Sequence, residues 1–367
     1  MSAAVTELNI LLNDRCNLQC SYCHFRQRDP RRCRELESRQ LDHALQLFFG
    51  HTALDPTLPR VLCFNADGEV LTSRALLLWA VERAARLRDQ LGAVALTVAV
   101  VTNGTLVDEE VASRLARCGA VVTVSIDGAA DAHDRHRRGA DGDPTHEAVL
   151  AGIGRLRAAG VPLSFRAVVT EETAPALAET HGFLQRLGPA RPIKLRPVRR
   201  STGAPFPPAW VSRYGEHYLE RVRQLLDTGA TSDALPDDAL HFVRFAADGV
   251  VRPSYCNAGR SMLWLAPTGE LSCCGLLTGA EHALGVVDEL ERPRDLEHLL
   301  ARGARGPLAR PLPRRCRGCD WRDACAGGCP ALAQLDGDAE GLNPLCSFYA
   351  ALGALVAERF PPARRGR

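Results

Sequence analysis

The chain has 367 residues, 46% of them hydrophobic, and a formal net charge of +2. That is enough apolar content for one large core or two domains, and so even a charge forces no nucleic-acid or membrane partner. With no apolar run long enough to span a bilayer, no visible signal peptide and 14 cysteines, a reducing, cytoplasmic setting is expected, where thiols bind metal rather than pair as disulfides.

Residues 8–12 read as a strand that runs into three cysteines, Cys16, Cys20 and Cys23. Ser38 is placed to cap a helix over 38–49, stopped at Gly50. A buried strand over 61–64 and a long helix over 73–91 follow. Next come a strand over 96–101 and a helix over 108–118 closed by Gly119. The same alternation gives a strand over 121–126 with a helix over 145–159, and a strand over 163–169 with a helix over 174–187. A sixth strand covers 193–197. Such alternation argues for a parallel sheet, and six units fall short of the eight of a closed barrel. In parallel α/β folds the chemistry gathers at the C-terminal ends of the strands, where the cysteine loop lies. A Pro-rich break (Pro205, Pro207, Pro208) leads into a helix over 209–226, read as a bridge. From about residue 254 glycine, proline and cysteine replace regular periodicity. A region with so little core of its own usually needs metal to fold.

Three thiolates on one short loop can hold three irons of a [4Fe–4S] cube and leave the fourth iron without a protein ligand. An open iron can bind a small chelating molecule and pass it an electron. Zinc favours paired Cys-x2-Cys knuckles instead. The Cys16-x3-Cys20-x2-Cys23 loop resembles the signature loop of the radical S-adenosylmethionine (SAM) superfamily. The resemblance implies an α/β fold, a partial (β/α)6 TIM-like barrel open on one side to substrate. It implies that the open iron binds the amino and carboxylate groups of SAM. Reduction, from a flavodoxin or ferredoxin-type donor, then cleaves SAM to methionine and a 5′-deoxyadenosyl radical that abstracts a hydrogen atom from substrate.

Further segments carry the same resemblance. Asp67-Gly68-Glu69 stands where the superfamily has Gly-Gly-Glu, a motif that holds the SAM amino group, although Asp67 replaces the first glycine and Asp-Gly is also a common turn. Asn103, in Thr102-Asn103-Gly104-Thr105, is implied to line the SAM pocket. Ser125-Ile126-Asp127-Gly128 and His133-Asp134-Arg135-His136-Arg137-Arg138 look like the Ser-x-Asp-Gly and His-Asp-x-x-Arg stretches of SPASM-type peptide-modifying enzymes. By that match Ser125 contacts the ribose and Arg137 the carboxylate, with Arg135 or Arg138 as substitutes. Asp127 faces the substrate as the catalytic candidate, or caps a loop. Leu195 packs on the adenine. Arg196 and Arg199 are candidates for an acidic substrate group or plain surface charges.

The C-terminal cysteines resemble the SPASM domain, which holds two auxiliary iron–sulfur clusters. By resemblance Cys316, Cys319, Cys325 and Cys346 bind one, and Cys256, Cys274 and Cys329 the other, with Cys273 a weak candidate for its fourth ligand. Cys33, Cys63 and Cys118 are most simply buried small apolar residues. The implied domains are a radical SAM core over 1–205, a helical bridge over 206–253, a SPASM domain over 254–350, and a C-terminal helix and basic tail over 351–367. Three [4Fe–4S] clusters and SAM are the expected cofactors. In sulfatase-maturing relatives an aspartate follows the cysteine matching Cys274 and acts as a base. Here the residue is Gly275, which counts against sulfatase maturation.

The expected activity is that of a radical SAM/SPASM peptide maturase, an oxidoreductase that installs an oxidative crosslink or similar change in a ribosomally made precursor peptide. With 15 residues ahead of Cys16, a separate leader-binding protein is an expected partner unless the core itself presents the peptide. The other enzyme reading is a dehydrogenase or epimerase acting on a sugar or nucleoside.

Overall fold

A computed structural model describes residues 4–23, 34–93, 95–199, 206–277, 280–306, 308, 311–337 and 340–361. Cys33, Arg31, Arg32, Arg200, Pro205, Arg310 and the basic tail after residue 361 lie outside the described residues. Among those described, nine strands form: β1 (Glu7–Leu11), β2 (Arg60–Asn65), β3 (Leu96–Thr102), β4 (Val121–Ser125), β5 (Leu163–Val169), β6 (Lys194–Pro197), β7 (Met262–Leu265), β8 (Glu270–Ser272) and β9 (Gly285–Val286). The chain divides into two compact units. One comprises Met1–Ser125, Arg137–Leu163 and Asn257–Arg310, and the other Ile126–His136, Ser164–Cys256 and Pro311–Arg367.

In the first unit the strands run in the order β4-β3-β2-β1-β7-β8-β9. Pairing is parallel from β4 through β7, with Leu8 opposite both Leu62 and Leu263. β8 and β9 then add antiparallel edges. Central parallel strands are covered on both faces and so read as apolar runs. Accordingly Ile10, Leu62, Phe64, Val98, Val122 and Val124 have no exposed surface. The helices Ser38–Thr52, Arg74–Leu91, Glu109–Arg117 and His146–Ala158 bury Leu45, Phe48, Leu77, Val81, Leu115 and Ile153. Each such side chain stabilises the fold by about 1.5–3 kcal/mol. The helix Glu109–Arg117 begins where the Asp108 carboxylate accepts the Val111 N–H at 2.9 Å, an N-cap that satisfies an otherwise orphaned donor.

In the second unit β5 and β6 pair in parallel, Ala167 opposite Leu195. The helices Leu177–Arg186, Pro208–Asp227, Asp237–Asp248 and Cys346–Arg359 surround an aromatic core. Tyr214 and Tyr218 meet Phe348 with ring centroids 5.3 and 5.0 Å apart, and Phe242 stacks on Tyr349. Trp321 lies against Gly353, where an added Cβ would fall 2.2 Å from the indole. The cysteine-rich turns therefore lean on an apolar core supplied by the long helices. No described helix is long and apolar enough to cross a membrane.

Candidate active site

The first unit gathers the ends of β1 to β4 around the cysteine loop. Asn13, fully buried, follows β1 and ties that loop down. Its side-chain nitrogen donates to Ser73 Oγ at 2.7 Å and to the Glu69 carbonyl at 3.2 Å. Its side-chain oxygen accepts the Arg15 N–H at 3.0 Å. Gly68 then passes so close that a Cβ there would lie 1.8 Å from the Arg15 carbonyl oxygen, so this position admits glycine alone. The Glu69 N–H donates to that same carbonyl at 2.6 Å.

The loop itself is held on both sides. Asn17 bonds Asn103 and Thr105 at 2.9 and 2.8 Å. The Gln19 N–H donates to the Arg138 carbonyl at 2.8 Å. The Arg137 guanidinium lies over the Tyr22 ring at 5.6 Å, between Cys20 and Cys23 in sequence. Cys23 donates its N–H to the Cys20 carbonyl at 3.0 Å, and Leu18 donates its N–H to Cys16 Sγ at 3.4 Å. Cys16 keeps exposed surface as a residue, yet its thiol is pushed up to about 12, chiefly by burial of the sulfur, with the Leu18 N–H opposing and Glu69, Cys20 and Cys23 adding to the rise. A bound metal cation would favour the thiolate and offset that rise.

Glu69 is 1% exposed, and its carboxylate accepts three bonds. These come from Leu71 N–H (3.1 Å), Thr102 Oγ1 (2.5 Å) and Asn103 N–H (2.6 Å). The sequence marks Glu69 as a SAM contact, and the structure adds a positioning role that joins the ends of β2 and β3. Gly68, Glu69, Asn103, Ser125 and Arg137 all belong to this unit, and Ser125 and Arg137 are buried. Sequence reasoning missed Asn13, whose only signal is a polar residue directly after an apolar strand.

Asp127 and Leu195 belong to the second unit. Asp127 is 2% exposed, and its Oδ1 accepts the Val168 N–H at 2.9 Å. This carboxylate thus has a structural task in β5. Leu195 is fully buried, and its carbonyl accepts the Tyr214 hydroxyl at 2.9 Å. Arg196 is paired with Asp237 and Asp238, and Arg199 lies 3.6 Å from Asp336. Both guanidinium groups therefore already have carboxylate partners within the chain.

The second unit also collects four thiols. Burial pushes Cys325 up to about 11; the Gly327 N–H opposes, while Cys319, Cys316 and Cys346 add to the rise. The Cys319 N–H bonds the Cys316 carbonyl at 3.3 Å, and the Gly327 N–H donates to Cys325 Sγ at 3.4 Å. Burial also raises Cys329, against N–H donors at Leu332 and Ala331 and the charges of Arg196 and Arg199. Cys256 falls in this unit and Cys274 in the other. Cys273 turns into the first unit, where a Cβ on Gly303 would lie 2.2 Å from its sulfur. Cys63 and Cys118 are buried, as expected of small apolar residues.

Among the described residues no three His, Cys, Asp or Glu side chains converge on a point that a single ion would occupy. A four-iron cube asks for something else, since each thiolate meets a different iron. The loop of Cys16, Cys20 and Cys23, with an N–H on one sulfur and a fixed turn between the other two, fits such a cube.

Residues 10–184 match the radical SAM superfamily. The chain is 27% identical over 343 residues to the serine-type anaerobic sulfatase-maturating enzyme of Klebsiella aerogenes, covering 91% of this chain and 80% of that protein. It is 27% identical over 374 residues to the mycofactocin maturase MftC of Mycolicibacterium smegmatis, covering 96% and 85%. A solved structure of anSMEcpe with bound AdoMet and Cp18Cys peptide superposes with a TM-score of 0.78 at 16% identity, over 97% of each chain. The chain thus carries a radical SAM domain over residues 10–184 and has the α/β fold of that solved structure, with a cysteine-rich C-terminal region.

Proposed function

We propose that this chain is a SPASM-type peptide maturase that takes a hydrogen atom from a ribosomally made precursor peptide and installs an oxidative crosslink or similar modification. The observation that carries the reading is the radical SAM match over residues 10–184, which includes the loop of Cys16, Cys20 and Cys23, in a chain similar over most of its length to two maturases. When bound, SAM and the reduced loop cluster supply the oxidising radical. Cys16, Cys20 and Cys23 would hold that cluster, and Gly68, Glu69, Asn103, Ser125, Arg137 and Leu195 would shape the SAM pocket. Cys316, Cys319, Cys325 and Cys346 would hold one auxiliary cluster, and Cys256, Cys274 and Cys329 the other. Removing a hydrogen atom leaves one unpaired electron on the peptide. An auxiliary cluster held by these cysteines would supply an acceptor for that electron, and with a proton lost as well the peptide would be lighter by two hydrogens. Asp127 is the candidate acceptor of that proton.

The relatives named above are maturases, and one solved neighbour carries a bound peptide. Sulfatase maturation itself is disfavoured at Gly275. A Cβ there would lie 2.8 Å from the Trp264 ring, so an aspartate in this place would have to displace a partly buried indole. Arg196 and Arg199, the candidate cations for an acidic substrate group, both have internal carboxylates. The test is to incubate the reduced, reconstituted enzyme with SAM and a short precursor peptide encoded beside its gene. The peptide is expected to stimulate 5′-deoxyadenosine formation and to emerge lighter by two hydrogens. Turnover of a sugar or nucleoside with no response to peptide would overturn the reading.

A further inference from the structure

We infer that Asn343 is a positioning residue that fixes the turn between Cys325 and Cys329 to Cys346, so that a full complement of both auxiliary clusters assembles. The inference rests on the ligand sets proposed above. Asn343 is 3% exposed. Its side-chain nitrogen donates to the Cys329 carbonyl at 2.8 Å, and its side-chain oxygen accepts the Leu345 N–H at 2.9 Å. Its own carbonyl accepts the Cys346 N–H at 3.0 Å. These partners fix which way the amide faces, since a carbonyl needs the NH2 and an N–H needs the oxygen. One buried residue therefore grips the backbone at a ligand of one proposed cluster and at a ligand of the other.

The turn that Asn343 grips includes one residue held against its local preference. Ala326, Gly327 and Gly328 have φ of 49°, 80° and 73°, and Ala326 is the one non-glycine residue with positive φ among those described. The two glycines take positive φ freely, but at Ala326 such a conformation persists only where its surroundings over-determine it. Here it aims the Gly327 N–H at Cys325 Sγ. A Cβ on Gly328 would lie 2.8 Å from Asn343 Cγ, so the Asn343 amide packs directly on the turn. Pro344 follows in sequence, which disfavours helical backbone at Asn343.

The test uses the full chain with Cys16, Cys20 and Cys23 changed to Ala, so that iron reports the auxiliary sites alone. After anaerobic reconstitution this parent is expected to hold about eight irons. Asn343→Asp keeps an acceptor for Leu345 but offers no donor to Cys329. It is expected to fall to about four irons and to lose one of the two reduced-state EPR signals. Asn343→Ala removes both bonds and is expected to hold fewer still. Gly328→Ala leaves residue 343 as Asn but crowds it and Tyr349 and strains its own positive φ, and is expected to lose iron as Asn343→Ala does. Should Asn343→Ala fail to fold by circular dichroism, the other two variants decide. Folded variants that keep about eight irons, both EPR signals and the parent midpoint potentials overturn the inference, even if their melting temperatures drop. A parent that holds no iron overturns the auxiliary-cluster reading, and the inference with it.

Discussion

At Glu69 a single carboxylate accepts bonds from Leu71, Thr102 and Asn103 and so sets the spacing of the β2 and β3 ends beneath the cysteine loop. Glu69→Gln keeps the shape but turns an NH2 toward a donor, leaving at least one buried group unpaired. The expected cost is about 1–3 kcal/mol, read as a lower urea midpoint with unchanged slope, together with weaker SAM binding by calorimetry. A variant with wild-type stability and SAM affinity would remove Glu69 from this role. Gly68 shows how much of such a site is legible in sequence. Asp-Gly-Glu after a second strand was readable as a motif, while its physical reason, a backbone contact with Arg15 that excludes any side chain, needed the fold. Asn13 and Asn343 were not legible at all. Each acts through bonds to residues that only the folded chain brings near.

At the scale of elements, the helix Leu177–Arg186 carries a fully buried histidine, His181. Burial, with Arg221 nearby, lowers its pKa from 6.5 to about 3. The folded chain keeps this ring neutral while the unfolded chain protonates it, so His181 contributes stability above its unfolded pKa that is lost as pH falls from about 6.5 toward 3. His181→Gln is expected to flatten the stability–pH curve across that window, measured by urea unfolding at several pH values. An unchanged curve would assign the acid sensitivity to other groups. The turns carrying Cys316 to Cys329 have no such core of their own and rest on Trp321, Gly353 and the aromatic rings. Cys319→Ala is expected to release one auxiliary cluster, about four irons, and to loosen residues 311–337 toward proteolysis, because cluster binding there supplies folding free energy. SAM cleavage is expected to persist without product. Normal turnover by this variant would make the cluster dispensable.

The alternation of strands and helices up to β6 was legible because parallel strands buried on both faces read as apolar runs closed by glycine. The strands β7 to β9 were not, being two to four residues long. β7 also finds its partner in β1, far away in sequence, and no local pattern announces a pairing of that range.

At the scale of the whole molecule, the central claim is that the cysteine loop makes a radical that takes its hydrogen from a peptide. A precursor peptide deuterated at its side-chain and backbone carbons, incubated with the reduced enzyme and SAM, tests this most directly by mass spectrometry of the 5′-deoxyadenosine formed. Deuterium in the 5′-deoxyadenosine, absent when Cys16, Cys20 and Cys23 are changed together to Ala, is the predicted result. Unlabelled 5′-deoxyadenosine from a fully deuterated peptide, or labelled product from the triple variant, would contradict it.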